Sequence, residues 1–185
     1  MKVMAIFAVL VVAGIGALVL AYGKNTAQSS NNGPLQPGAV APEFALSDQH
    51  NKVHELKESR GKIVVLAFYP ADMTKGCSLE AHNFTNALDE FKKRDVELYG
   101  ISVQDVKSKK KFCDTEGIKY SLLADVEKAA SKDYGVLGVT GMAKRVTFVI
   151  DKEGRIAAVD PAVKPASVVP DTLKMVDAVI AKSKE

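Results

Sequence analysis

Seven consecutive residues in the middle of the chain, Ile63 to Tyr69, read IVVLAFY and carry no charged side chain. A short continuous run of β-branched and aromatic residues suits a central strand buried on both faces. The sequence after it alternates. A helix is expected from about Cys77 to Arg94, with Leu79, Phe84, Leu88 and Phe91 at helical spacing. Val96 to Val103, VELYGISV, reads as the next strand, and Gln104 or Asp105 caps a helix that ends at Gly117.

The remaining elements follow the same logic. Ala41 to Leu46 and His54 to Leu56 form an N-terminal hairpin, Leu122 and Leu123 mark a short strand, and Val126 to Tyr134 is a helix closed by Gly135. RVTFVI, Arg145 to Ile150, is a strand that Asp151 to Gly154 turns into a second one, Arg155 to Val159, before a closing helix from Pro170 to Lys182. Strands that alternate with helices and finish in a hairpin and a helix indicate an α/β fold with a mixed central sheet flanked by helices. It is the element order of a thioredoxin-like fold with additions.

The N-terminus lies outside this pattern. Lys2 precedes an uncharged apolar run from Val3 to Gly23, and Lys24 follows it. About 20 apolar residues suffice to cross a bilayer as a helix. Residues 1–23 are therefore expected to be a membrane anchor or a signal peptide, the anchor being favoured by the length of the run. The positive flank puts the domain on the extracytoplasmic side, in the periplasm or cell envelope. KNTAQSSNNGPLQPG, residues 24–38, reads as a flexible tether. Residues 39–185 remain as one domain, a comfortable size for a single core.

Charge and cysteine usage exclude several functions. A net charge of +3 is too mild to argue for nucleic acid, and no basic-aromatic groove pattern is visible. Cys77 and Cys113 are the only cysteines, too few for a disulfide scaffold, and no C-x-x-C offers a zinc site or a dithiol. His50, His54 and His82 show no metal-ligand spacing, so neither metal nor cofactor is expected.

Chemistry concentrates in PADMTKGC, Pro70 to Cys77, between a strand and a helix. A thiol is a nucleophile only as thiolate, and the free backbone N–H groups of a helix start favour the anion. Thr74, three residues upstream, can place its hydroxyl beside the sulfur. Pro70 is rigid and lacks an N–H, so it can shield the site from water. Gly76 permits close backbone approach. Arg145, at the start of a strand, is the best candidate for a cationic donor, and Glu80, one helical turn after Cys77, can orient that guanidinium.

P-x-x-x-T-x-x-C with a downstream Arg before T-F-V-I-D resembles the peroxiredoxin superfamily. FYPADMTKGCSLEAHNF and YGVLGVTGMAKRVTFVIDKEG are similar to its bacterioferritin-comigratory-protein or PrxQ branch. The resemblance runs from about Pro37 to the C-terminus. It implies a thioredoxin-fold thiol peroxidase that acts on hydrogen peroxide and organic hydroperoxides, works as a monomer and draws electrons from a thioredoxin-like protein. Cys77 would be peroxidatic, with Thr74 and Arg145 binding peroxide and Pro70 shielding. Many branch members carry a resolving cysteine five residues after the peroxidatic one. This chain has His82 there, to which no role is assigned. Cys113 lies 113 − 77 = 36 residues downstream on the next helix, and a subset of the branch resembles this arrangement. Its alternative is a packing residue in a one-cysteine peroxidase resolved by an external thiol. The run Lys107 to Lys111 reads as a solvated face that can also attract an acidic reductant. A thiol-disulfide exchange protein of the envelope is a further alternative, though it would need the dithiol this chain lacks. So is a non-catalytic module, which gives Thr74, Cys77 and Arg145 no reason to occur together.

Overall fold

A computed structural model describes residues 33–183. The expectations for residues 3–23 fall outside the described residues. No helix among the described residues is long and apolar enough to cross a membrane.

The central run is strand β3, Ile63–Phe68, fully buried along its length. It pairs in parallel with β4, Val96–Ser102, and antiparallel with β6, Val146–Ile150. β5, Ser121–Ala124, adds in parallel to β4. β7, Ile156–Asp160, closes one edge, and the hairpin of β1, Ala45–Ser47, and β2, Val53–Glu55, closes the other. The sheet order is β2-β1-β5-β4-β3-β6-β7, a mixed seven-stranded sheet as the sequence predicts.

The period of two along β3 divides the core. Ile63, Val65, Ala67 and Tyr69 face one side, against α1, Lys75–Asn86, α2, Leu88–Lys92, α3, Val106–Glu116, and α5, Val168–Lys182. Val64, Leu66 and Phe68 face the other, beneath α4, Ala129–Asp133, and the N-terminal segment. Phe68, Tyr134 and Phe148 fill that second side, with ring centroids 5.2 to 5.8 Å apart.

Several boundaries differ from the sequence reading. Residues 33–38, assigned to the tether, are docked. The Leu35 N–H donates to the Tyr134 carbonyl at 3.1 Å and the Gly38 N–H to Ile156 at 2.8 Å. The first strand begins at Ala45, because the residues before Pro42 bond instead at the far edge of the sheet, where Val40 bridges Arg155 and the Ala41 N–H donates to the Gly154 carbonyl. The helix expected over Cys77 to Arg94 starts two residues earlier and breaks at Ala87, whose φ of −101° and ψ of 6° leave the helical region. That break brings Phe91 to within 5.9 Å of Phe84, centroid to centroid. α4 starts at Ala129, because the buried Asp125 carboxylate accepts the N–H groups of Ala130 and Ser131 and turns the chain there. α5 starts two residues before Pro170, which occupies its first turn, where its missing N–H has no helical partner to lose. α3 matches the reading: Asp105 accepts the Ser108 N–H at 2.8 Å, and Gly117 ends it at φ 65°.

Candidate active site

Cys77 is the third residue of α1, so its sulfur sits in the first turn, where three backbone N–H groups lack helical acceptors. The side chain is buried, 2% exposed, and faces β3. Arg145 enters from just before β6 and donates from Nη2 to Cys77 Sγ at 3.2 Å. Its other arm, Nη1, pairs with Glu80 Oε2. Glu80 is 3% exposed, and its Oε1 has no hydrogen-bond partner among the described residues. Gly76 lines this approach without being required for it: a Cβ there would lie 3.4 Å from Arg145 Nη2, an ordinary contact. The geometry therefore places a helix start and a planar cation on one buried sulfur, with a carboxylate fixing the cation.

The other sequence candidates are less tightly drawn in. Thr74 is the N-cap of α1, but its hydroxyl donates to the Ala71 carbonyl at 3.3 Å and its side chain is exposed. Pro70 is half-buried at the end of β3, and its carbonyl accepts from Gln104 Nε2 at 3.5 Å. Cys113 is buried on α3 within the same apolar cluster as Cys77, and both are free thiols.

Burial, reinforced by the charges of Asp72 and Asp114, pushes the Cys113 thiol up to about 11. The folded state thus prefers the protonated thiol. Its contribution to stability is complete below the ordinary value of 9.0 and is lost as pH rises through about 11. Urea midpoints measured across that alkaline window should fall more steeply for the native chain than for Cys113→Ala.

Two features escape the sequence reading. Lys109 belongs to the run read as solvated, yet it is completely buried. Its Nζ lies 2.9 Å from Asp72 Oδ1, contacts Ser102 Oγ, and sits 5.0 Å from the centre of the Tyr69 ring. Asp72 also accepts from the Tyr69 hydroxyl at 2.7 Å and the Ser108 hydroxyl at 2.6 Å. Desolvation lowers the Lys109 ammonium from its ordinary value while Asp72 opposes the shift. Lys109 stands three and four residues before the buried Phe112 and Cys113, so a helical projection of α3 puts it on the apolar face. The second feature is His82, which is bonded to Glu116.

The pattern of the AhpC/TSA family matches residues 37–159. Chloroplastic peroxiredoxin Q of Arabidopsis thaliana is 39% identical over 147 residues, 78% of this chain and 68% of that protein. Peroxiredoxin Bcp of Escherichia coli K12 is 34% identical over 130 residues, 66% of this chain and 83% of its own. Solved forms of Xanthomonas campestris peroxiredoxin Q superpose with a TM-score of 0.71 at 28% identity, covering 78% of this chain and 96% of theirs; two of these carry serine in place of one or other of two cysteines. The mixed sheet, the buried thiol at a helix start and these relatives agree: the chain belongs to the AhpC/TSA family, in its peroxiredoxin Q and bacterioferritin-comigratory-protein branch, and is a thiol peroxidase of the thioredoxin fold.

Proposed function

We propose that Cys77 is the peroxidatic residue and Cys113 its intramolecular resolving partner. The protein then reduces hydrogen peroxide and organic hydroperoxides at the expense of a thioredoxin-like dithiol. The observation that carries the first half is the 3.2 Å approach of Arg145 Nη2 to Cys77 Sγ. The Cys77 thiolate attacks one peroxide oxygen. An S–O bond forms as the O–O bond breaks, and the departing oxygen takes the electron pair and is protonated to water or an alcohol. Arg145 stabilises the charge that grows on those oxygens, as a preorganised donor does. Glu80 holds the guanidinium in place, Thr74 adds a hydroxyl at the helix cap, and Pro70 walls the entrance.

In the second half, the Cys113 sulfur attacks the sulfenic sulfur of Cys77. An S–S bond forms and hydroxide leaves, taking up the Cys113 proton to become water. A donor dithiol then reduces the disulfide by exchange. The spacing supports this reading. The serine replacements in the Xanthomonas campestris protein are at positions 48 and 84, and 84 − 48 = 36 equals 113 − 77 = 36. Because Cys113 is buried with a raised pKa, it reacts only after local opening of α3. The run at residues 3–23 supports a membrane-anchored or exported protein with its domain in the periplasm or envelope, supplied by a dithiol donor there. An intramolecular disulfide supports a monomer.

Intact mass after one equivalent of peroxide tests the resolving role. The native chain should lose two hydrogens, and Cys113→Ser should gain one oxygen and lose turnover with a thioredoxin-like donor. If Cys113→Ser turns over as fast as the native chain, Cys113 is a packing residue and an external thiol resolves Cys77.

A further inference from the structure

Cys77 and Cys113 have to meet once per cycle, yet the helices that carry them are tied together across a seam. Glu116, the last residue of α3, spans it. Its Oε1 accepts from the hydroxyl of Ser78, the residue next to Cys77, at 2.9 Å. Its Oε2 and its backbone carbonyl each lie 3.0 Å from His82 Nε2. Two acceptors around one ring nitrogen identify Nε2 as the one that carries the proton. Further along α1, the Thr85 hydroxyl accepts the Lys119 N–H at 3.4 Å. Ser78, His82 and Thr85 recur at helical spacing and form one polar stripe on α1. That stripe grips the chain just after Cys113.

We propose that Glu116 is a positioning residue that latches the last turn of α3 to α1, and that its release sets the rate at which the disulfide forms. The proposal rests on the reading of Cys113 as the resolving thiol. The two ends of α3 are held unequally. Near its start, Lys109 and Asp72 form a sealed ion pair with side chains 0% and 2% exposed, whose rupture would leave a charge buried. At its end, the His82 and Glu116 side chains are 45% and 23% exposed, so water can take over their bonds cheaply. The Glu116 end is therefore the one that lets go. Its cap closes on the reactive residue itself, since the Cys113 carbonyl accepts the N–H groups of both Gly117 and Ile118. Undoing that last turn frees Cys113 while Lys109 keeps the rest of α3 in place.

Rapid-quench intact mass after one equivalent of hydrogen peroxide reads the step directly on the full chain. Loss of one to two kcal/mol of closed-state stability corresponds to about 5- to 30-fold in an equilibrium. Glu116→Ala should speed disulfide formation by about that factor, with Glu116→Gln intermediate and the oxidation of Cys77 unchanged. At excess peroxide, sulfinate on Cys77 should fall in parallel, because the sulfenic acid lives for a shorter time. Amide exchange over residues 112–117 should quicken. Ser78→Ala removes a single hydrogen bond and serves if Glu116→Ala does not fold. It should move the same readouts in the same direction by less. Equal or slower disulfide formation in these variants overturns the latch. A native chain that never forms the disulfide overturns the resolving role of Cys113 and the latch with it, whereas a native disulfide with unchanged variant rates overturns the latch alone.

Discussion

Arg145→Lys is expected to slow the oxidation of Cys77 by hydrogen peroxide about 100- to 1000-fold, the usual cost of losing one preorganised donor to a developing oxyanion. The substitution keeps the charge, so the size of the loss isolates geometry. Arg145 reaches in two directions at once, with Nη2 on Cys77 Sγ and Nη1 on Glu80. Lysine is a single point charge on a flexible stem and cannot hold both contacts in a fixed plane. Beside a buried carboxylate it will settle on Glu80 and leave the sulfur. Glu80→Gln should show a smaller loss, since the guanidinium remains but is held by a neutral partner. Rapid-quench mass spectrometry of the first turnover measures both. An Arg145→Lys rate within threefold of the native one would remove the guanidinium from the mechanism.

Lys109→Met should destabilise the fold by about 3–5 kcal/mol, as removal of one partner from a buried ion pair does. The loss arises from what remains: Asp72, sealed against water, would keep the Tyr69 and Ser108 hydroxyls but lose its only cation among the described residues. Asp72→Asn should cost a comparable amount by orphaning the ammonium. The double variant should recover much of the loss, because the desolvated charges leave together. Urea unfolding of the four proteins gives the coupling energy. Additive losses would show that the pair is not a unit.

Much of this was readable from the chain, and the remainder has definite physical causes. The IVVLAFY run announced the central strand because burial on both faces leaves no position for charge. PADMTKGC announced the thiol because a helix start after such a strand is a site for anions. Arg145 and Glu80 were legible through their chemistry and spacing, and the structure brings them to Cys77. The break at Ala87 was not legible, since alanine is the strongest helix former and the packing that accompanies the bend, Phe91 on Phe84 with Ala87 and Leu88 against the same core, is tertiary. Lys109 was hidden among exposed lysines: composition marks the whole run as solvated, and only the spacing of Lys109 to Phe112 and Cys113 on a helical projection singles out the one that turns inward. Nor could sequence give His82 a partner, because Glu116 lies 34 residues away and meets it only when α1 and α3 pack.

The docking of residues 33–38 onto Tyr134 and Ile156 bears on how far the enzyme can roam. Gly33 already lies against Gly135, so the stretch left between the apolar run and the docked segment is residues 24–32. Nine residues drawn straight extend at most about 30 Å. If residues 3–23 sit in a bilayer, the domain stays within that distance of its surface. Its reductant must then come to the membrane to recharge it.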